Sequence, residues 1–526
     1  MSAQPVLING EWQSSSSTNT FQATNPSTTE ALPELYPVSD WAEIESAIVA
    51  ADAAAREMRG WPGSRFAAFL DAYADGIETC TQELVEAANA ETALPVSPRL
   101  QDVELPRTTN QLRQAAAAAR SSSWTAPTID TATGIRSMFG PIGPVAVFGP
   151  NNFPFAFNSI AGGDFAAAVA AGNPVIAKGH SSHPRTTQIF AEEAQKAAVA
   201  TEMPAAFVQL IYRTSHADGA RFVGHPLMAA TGYTGSREAG LVLKESADKA
   251  GNPIYLELSS INPVFILPGA IAERSEELAA DFTGSCLMGT GQFCTNPGLV
   301  VLLASEATDA FVQSVTAKFS EAGIGTMLGE GVQRSFTAGI QALTSAGATI
   351  LTGGESGGGT GFSCANTLLS VDGESFVNSP EALQAEAFGN SSLFVVAKDE
   401  AQLGQIAESL EGNLTGCVYS AADGSDDALY DAIVPALRTK VGRLLNDKMP
   451  TGVAVSAAMN HGGPFPATGH PTFTAVGMPT AVCRFGMLQC YDNIRAHRLP
   501  PELQDKNPTG ELWRSIDGQW TQADVS

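Results

Sequence analysis

The stretch Gly143–Pro150, "GPVAVFGP", decides the fold. Its apolar centre is bounded on both sides by glycine and proline and is too short for a helix, so it reads as one buried strand. Downstream, Phe165–Ala171 reads as helix and "NPVIAKG" (Asn173–Gly179) as a second strand. Then come a helix in "TTQIFAEEAQKAAVA" (Thr186–Ala200), a strand in "AFVQLIY" (Ala206–Tyr212) and another in "LMAATGYTGS" (Leu227–Ser236). Strands alternating with helices of this length predict βαβ units and a parallel sheet.

A second set begins at "IYLELSSINPVFIL" (Ile254–Leu267), and a unit boundary is placed near Ser260. Helical "SEELAADFTGSCLMG", strand-like "GLVVLLA" and helical "ATDAFVQSVTAKFSEAG" follow. Glycine-rich "TGGESGGGTG" (Thr352–Gly361) reads as a flexible surface connection. Upstream, residues 40–90 read as long Ala-rich helices, and "RTTNQLRQAAAAAR" (Arg107–Arg120) continues them. Ser121–Gly140 has no helical period and reads as an arm or hairpin outside the first sheet.

The 526 residues suffice for about three domain-sized units. A formal charge of −25 argues against nucleic acid or an anionic membrane as partner, and an anionic substrate would need local cations to hold it. The start "MSAQPVLINGEW" has neither the basic residues nor the apolar core of a secretory signal. The uncharged run Ser137–Gly163 is interrupted by prolines and glycines, which argues against a membrane span. Seven cysteines form no CxxC pair and seven histidines no HxxxH, so no metal site and a reducing, cytoplasmic setting are expected.

Four short stretches could carry chemistry. Cys294 lies in "GTGQFCTNPG" (Gly289–Gly298), a glycine-rich turn between predicted helix and strand, where a thiolate could attack an electrophilic carbon; the plain alternative is a core thiol. Asn152, in "FGPNNFPFAF", follows a strand end and could donate to an oxyanion, or only stabilise a turn. Glu257, in "YLELSSINP", puts a carboxylate into an apolar strand, as a general base requires. Gly235, Ser236 and Gly240, in "TGYTGSREAG", open a helix that could take a pyrophosphate on its N–H groups.

Together, and in the family's order along the chain, these stretches resemble the aldehyde dehydrogenase superfamily over nearly the whole chain. The resemblance implies Cys294 as nucleophile, Asn152 as oxyanion donor and Glu257 as base. It makes Lys178 of "VIAK" the adenosine-side lysine, with Gly235, Ser236 and Gly240 in the cofactor turn. In "EAFGN" it places Glu386 at the nicotinamide ribose and Phe388 against the nicotinamide ring. Ser259 and Ser260 stand where the family has two glycines, and Asn390 where it has proline, which touches fine geometry rather than reactive groups. "KGHSSHP", "LSSINPVFI" and "PTGVAV…HGGPFPAT" resemble the branch of 2,5-dioxovalerate (α-ketoglutarate semialdehyde) dehydrogenases and the NADP-dependent fatty aldehyde dehydrogenase of luminous bacteria.

The implied fold is α/β: a Rossmann-like cofactor domain (1–120 and 141–260), an α/β catalytic domain (261–462), and a small β oligomerisation element (121–140 with the C-terminal 463–526). NADP is expected over NAD, with NAD possible, because Ser181 stands where NAD-preferring members carry glutamate; Arg213 or His216 would lie near. The expected substrate is 2,5-dioxovalerate, with Arg107 gripping its carboxylate. The alternative for Arg107 is a surface or interdomain ion pair. Long-chain fatty aldehydes, acyl transfer to coenzyme A, or a noncatalytic nucleotide-binding relative are the competing readings. A homodimer or homotetramer is implied.

Overall fold

The structure is a computed structural model and describes residues 3–526. Two seven-stranded sheets organise it. In the first the strands run, edge to edge, Ile254–Glu257, Ala230–Thr234, Val145–Phe148, Val175–Lys178, Val208–Ile211, Val6–Ile8 and Glu11–Gln13. The first five are mutually parallel, and the N-terminal hairpin adds antiparallel to Val208–Ile211. The Val145–Phe148 strand is buried throughout, which explains its continuous apolar run; Val208–Ile211 is buried too, its one polar residue, Gln209, donating to Ala47 O, because helices cover both faces of the sheet.

Register places the functional ends in a row. Phe148 pairs with Lys178 and with Tyr233, and Thr234 pairs with Glu257. The loops carrying Asn152, Gly235–Ser236 and the Lys178 side chain therefore leave one carboxyl edge, where open α/β sheets bind ligands.

The second sheet runs Thr349–Thr352, Thr367–Asp372, Ser391–Ala397, Leu299–Leu303, Val264–Ile266, Asn413–Tyr419 and Val441–Asn446, all parallel except the first. The chain crosses between sheets at Leu258–Pro263, close to the expected boundary. Thr128–Ile129 and Arg136–Pro141 lie outside both sheets. They join Gly486–Tyr491, Arg514–Ile516 and Gln519–Thr521 in a five-stranded sheet.

Two expectations change. Thr352–Gly361 is exposed in part, yet it is tied down by Gly357 N–H to Ser363 O at 2.7 Å and Ala365 N–H to Glu355 O at 2.9 Å. A Cβ on Gly361 would lie 1.9 Å from Pro26 O, so this glycine is needed for close packing rather than looseness. Residues 463–485, grouped from sequence with the arm, instead return to the first sheet. Leu258 N–H donates to Ala467 O, Gly469 N–H to Leu256 O, and Arg484 forms a buried ion pair with Asp164 at 2.8 Å. The Ala467 carbonyl and the Gly469 N–H cover the open edge of the Ile254–Glu257 strand, whose backbone groups would otherwise lack partners. Among the described residues no helix is long and apolar enough to cross a membrane.

Candidate active site

Cys294 follows a turn in which Gly289, Thr290 and Gly291 all have φ between 55° and 66°. A Cβ on Gly291 would sit 2.1 Å from Gly389 O, so the turn can press against the 386–390 loop only with glycine there. Asn262, on the crossover between sheets, donates from Nδ2 to the carbonyls of Cys294 and Asn296, both at 2.9 Å. That couples the thiol's position to the segment carrying Glu257.

Sγ of Cys294 lies 3.4 Å from Nε2 of His461, which lies 2.8 Å from Oε1 of Glu257. Glu257 and His461 are buried, while Cys294 keeps some exposure. Burial, and next the Glu257 charge, push the Cys294 thiol well above its ordinary pKa, with Arg107 pulling the other way. The resting group is a thiol, and it needs a proton acceptor within reach. His461 Nε2 and Glu257 Oε1 stand within reach of it, and their 2.8 Å contact holds one proton between them.

Asn152 Nδ2 donates to Gln292 O at 3.0 Å, leaving its second amide hydrogen uncommitted. Its loop is clamped from below. Buried Glu104 accepts from Phe155 N–H and Ala156 N–H at 2.8 and 2.9 Å and pairs with Arg99, which donates to Asn152 O at 3.1 Å. Phe153, Phe157, Phe293, Phe473 and Val476 form an apolar cluster beside the thiol, closed by Val453, Val455 and Met459. The His461 ring packs on Phe157 at 5.7 Å between centroids.

Arg107 lies against this wall, with its guanidinium carbon 5.3 Å from the Phe157 ring centroid and 5.5 Å from that of Phe153. Its Nε and Nη2 are buried without hydrogen-bond partners, and among the described residues it forms no ion pair. The surface-pair alternative for Arg107 therefore fails: the helix Leu105–Ser121 turns this residue inward, where desolvation lowers its pKa against the opposing pull of Glu104 and Cys294.

The cofactor candidates lie along the same edge. Lys178, with burial first and Arg213 second, is lowered to about 8. Ser181 is half-buried in the loop after it, and His216 starts an exposed short helix beyond Arg213. Ser236 caps the helix Arg237–Ala250 by accepting from Ala239 N–H at 3.4 Å. Gly240 sits where a Cβ would meet Leu258 at 2.5 Å. Glu386 is raised to about 7 by burial, opposed by hydrogen bonds from Ser259 and Ser260, and shares a small cleft with Phe388 and Ser260. Ser260 also donates to Asn262 Oδ1, and Asn390 ties down Cys364 O and Asn366, so both departures from the family pattern are built into hydrogen bonds.

His461, Arg99 and Glu104 escaped assignment from sequence. His461 lies 167 positions from Cys294 and 204 from Glu257, and "HGGPFPAT" contains no local pattern for a base. Glu104 offered no signal either: the stretch Val96–Glu104 is mostly exposed, and only Leu100 and Glu104 are buried in it.

Comparison with known proteins agrees in scale. The aldehyde dehydrogenase family matches residues 12–437. The alpha-ketoglutaric semialdehyde dehydrogenase 2 of Azospirillum brasilense is 38% identical over 504 residues, covering 94% of this chain and 95% of the relative. The alpha-ketoglutaric semialdehyde dehydrogenase of Acinetobacter baylyi is 36% identical over 540 residues, covering 98% of each. An aldehyde dehydrogenase from Bacillus cereus, solved in complex with NAD+, shares the fold with a TM-score of 0.79 at 19% identity, covering 93% of this chain and 96% of that one.

Proposed function

The chain belongs to the aldehyde dehydrogenase family, and from that premise we propose that it oxidises 2,5-dioxovalerate to 2-oxoglutarate with NADP preferred. The observation that carries the substrate class is Arg107. A buried guanidinium with two unpartnered N–H donors beside the thiol is costly unless a ligand pairs with it. A carboxylate at the far end of a short aldehyde answers both donors, and a plain alkyl chain answers neither. The relatives from Azospirillum and Acinetobacter, named for such a semialdehyde, support the same choice.

In this reading Cys294 Sγ bonds to the aldehyde carbon while its proton passes to the His461–Glu257 pair. The new oxyanion takes hydrogen bonds from the free Asn152 amide hydrogen and the Cys294 N–H. The cofactor that Lys178, Gly235, Ser236 and Glu386 would hold would supply a two-electron acceptor; the aldehyde hydrogen leaves the carbon with its bonding pair, and a thioester on Cys294 remains. Glu257, with His461 against it, takes a proton from water as the water oxygen bonds to the thioester carbon; the carbon–sulfur bond then breaks, the departing sulfur takes back the proton given up in the first step, and the carboxylate leaves with the remaining protons passing to solvent.

The residues present suit a 2′-phosphorylated dinucleotide. Lys178 and Arg213 are close enough to perturb each other, Ser181 adds no negative charge, and the N-terminus of the Ser236-capped helix would hold the pyrophosphate. Residues 1–120 and 141–260 form the cofactor part and 261–462 the catalytic part. The five-stranded sheet, with Leu488 62% and Trp520 60% exposed, is the surface for pairing copies into a homodimer or homotetramer. A cytoplasmic setting fits seven cysteines that are all unpaired.

The test is turnover on a panel of aldehydes with NADP and with NAD, each with and without coenzyme A. Preference for hexanal or longer alkyl aldehydes over the oxo acid overturns the substrate reading, and equal or better efficiency with NAD overturns the cofactor preference.

A further inference from the structure

The ligand-type atoms of Cys294, His461 and Glu257 all lie within 4.8 Å of one another. They supply one sulfur, one imidazole nitrogen and one carboxylate oxygen, a donor set suited to zinc and poor for magnesium or calcium, which want oxygen alone. Zinc bonded at ordinary lengths to such a trio needs its ligands roughly 3.3–3.7 Å apart. The Sγ–Nε2 distance of 3.4 Å already fits, and the Nε2–Oε1 distance of 2.8 Å must open by about half an ångström. Glu257 has room to adjust chemically: its Oε2 is buried with no hydrogen-bond partner.

We propose that this trio is an inhibitory site for a thiophilic divalent cation, Zn2+ in the first instance, that captures the enzyme in place of substrate. The inhibition rests on the catalytic reading above; the binding does not. On coordination the thiol proton is released to solvent, and sulfur, nitrogen and oxygen each donate a lone pair to the metal. Thiolate and carboxylate together neutralise the dication. The fourth position opens on the Cys294 side, the only one of the three with accessible surface, and Arg107 beside it favours an anionic fourth ligand. Because the ligands come from three distant segments, no metal spacing exists in the sequence.

The experiment uses Co2+ as a spectroscopic probe on the full-length metal-free protein carrying Cys490→Ser, which removes the exposed thiol. One equivalent should produce tetrahedral visible bands and a near-ultraviolet sulfur-to-cobalt charge-transfer band, both erased by Zn2+. Cys294→Ala should lose the charge-transfer band, and His461→Ala should lose the tetrahedral bands. Cys286→Ala, a core change, should keep both. In turnover assays Zn2+ should abolish activity, EDTA should restore it, and Mg2+ should do nothing. A charge-transfer band that survives Cys294→Ala, or no band at all, overturns the site and leaves the oxidation reading standing. Both bands on adding Co2+ to protein that, before any metal is added, oxidises no aldehyde overturn the functional reading and leave the site.

Discussion

The two seven-stranded sheets share a plan, yet they meet the site with opposite ends. The first sheet offers carboxyl edges: Lys178 and Glu257 close their strands, and Asn152 and Gly235–Ser236 follow theirs. The second offers amino edges: Ser260, Cys294 and the Glu386–Phe388 loop all precede the strands Val264–Ile266, Leu299–Leu303 and Ser391–Ala397. Ligand sites at carboxyl ends are the rule for one open sheet. A site between two sheets can use both edges, and here the proposed nucleophile, Cys294, comes from the side that rule neglects. The carboxyl edge carries groups for binding and proton transfer, and the amino edge presents the thiol through a turn of left-handed backbone.

The sharpest break in that comparison is to remove the thiol. Cys294→Ala should abolish aldehyde oxidation while NADP binding, measured by fluorescence titration, is retained on the first sheet. Cys286→Ala, eight residues earlier and buried against Ser391 O, should turn over close to wild type. Activity that survives in the first variant, or falls equally in both, would remove the nucleophile from the amino edge.

Glu257→Gln tests the carboxyl edge. Thioester hydrolysis should slow by about 10²–10⁴-fold, leaving a burst of reduced cofactor in rapid mixing ahead of a weak steady rate. If hydride transfer itself slows and no burst appears, Glu257 acts with His461 on the thiol instead.

Arg107→Ala should raise KM for 2,5-dioxovalerate about tenfold or more, roughly 1.4 kcal/mol, with little change for hexanal. Equal losses on both substrates would make Arg107 a packing residue of the Phe153–Phe157 wall.

The smallest effect concerns Lys178. Its ammonium is intact below about 8 and is lost above that pH in the free protein. A bound 2′-phosphate favours the charged form, so NADP affinity should be full at pH 7 and weaken as pH rises past about 8, by up to tenfold per unit. NAD, without that phosphate, should show a flatter profile. Parallel profiles would place the 2′-phosphate elsewhere, and Ser181→Glu would then leave the NADP preference unchanged.

Strand and helix order and the crossover near Ser260 were legible in the chain, and Cys294, Asn152, Glu257 and Lys178 stood out there as candidates. Each depends on neighbours within a few residues, where periodicity and turn chemistry are written. What surrounds them was not. Only the folded molecule puts His461 between Cys294 and Glu257, joining segments 167 and 204 positions apart. Only it turns Arg107 inward without a partner, and only it returns residues 463–485 to cover the edge of the Ile254–Glu257 strand. The physical reason is the same in each case. Local sequence sets backbone conformation and which face is apolar, whereas the partner of a buried charge or an open strand edge is chosen by the segment that packing brings against it.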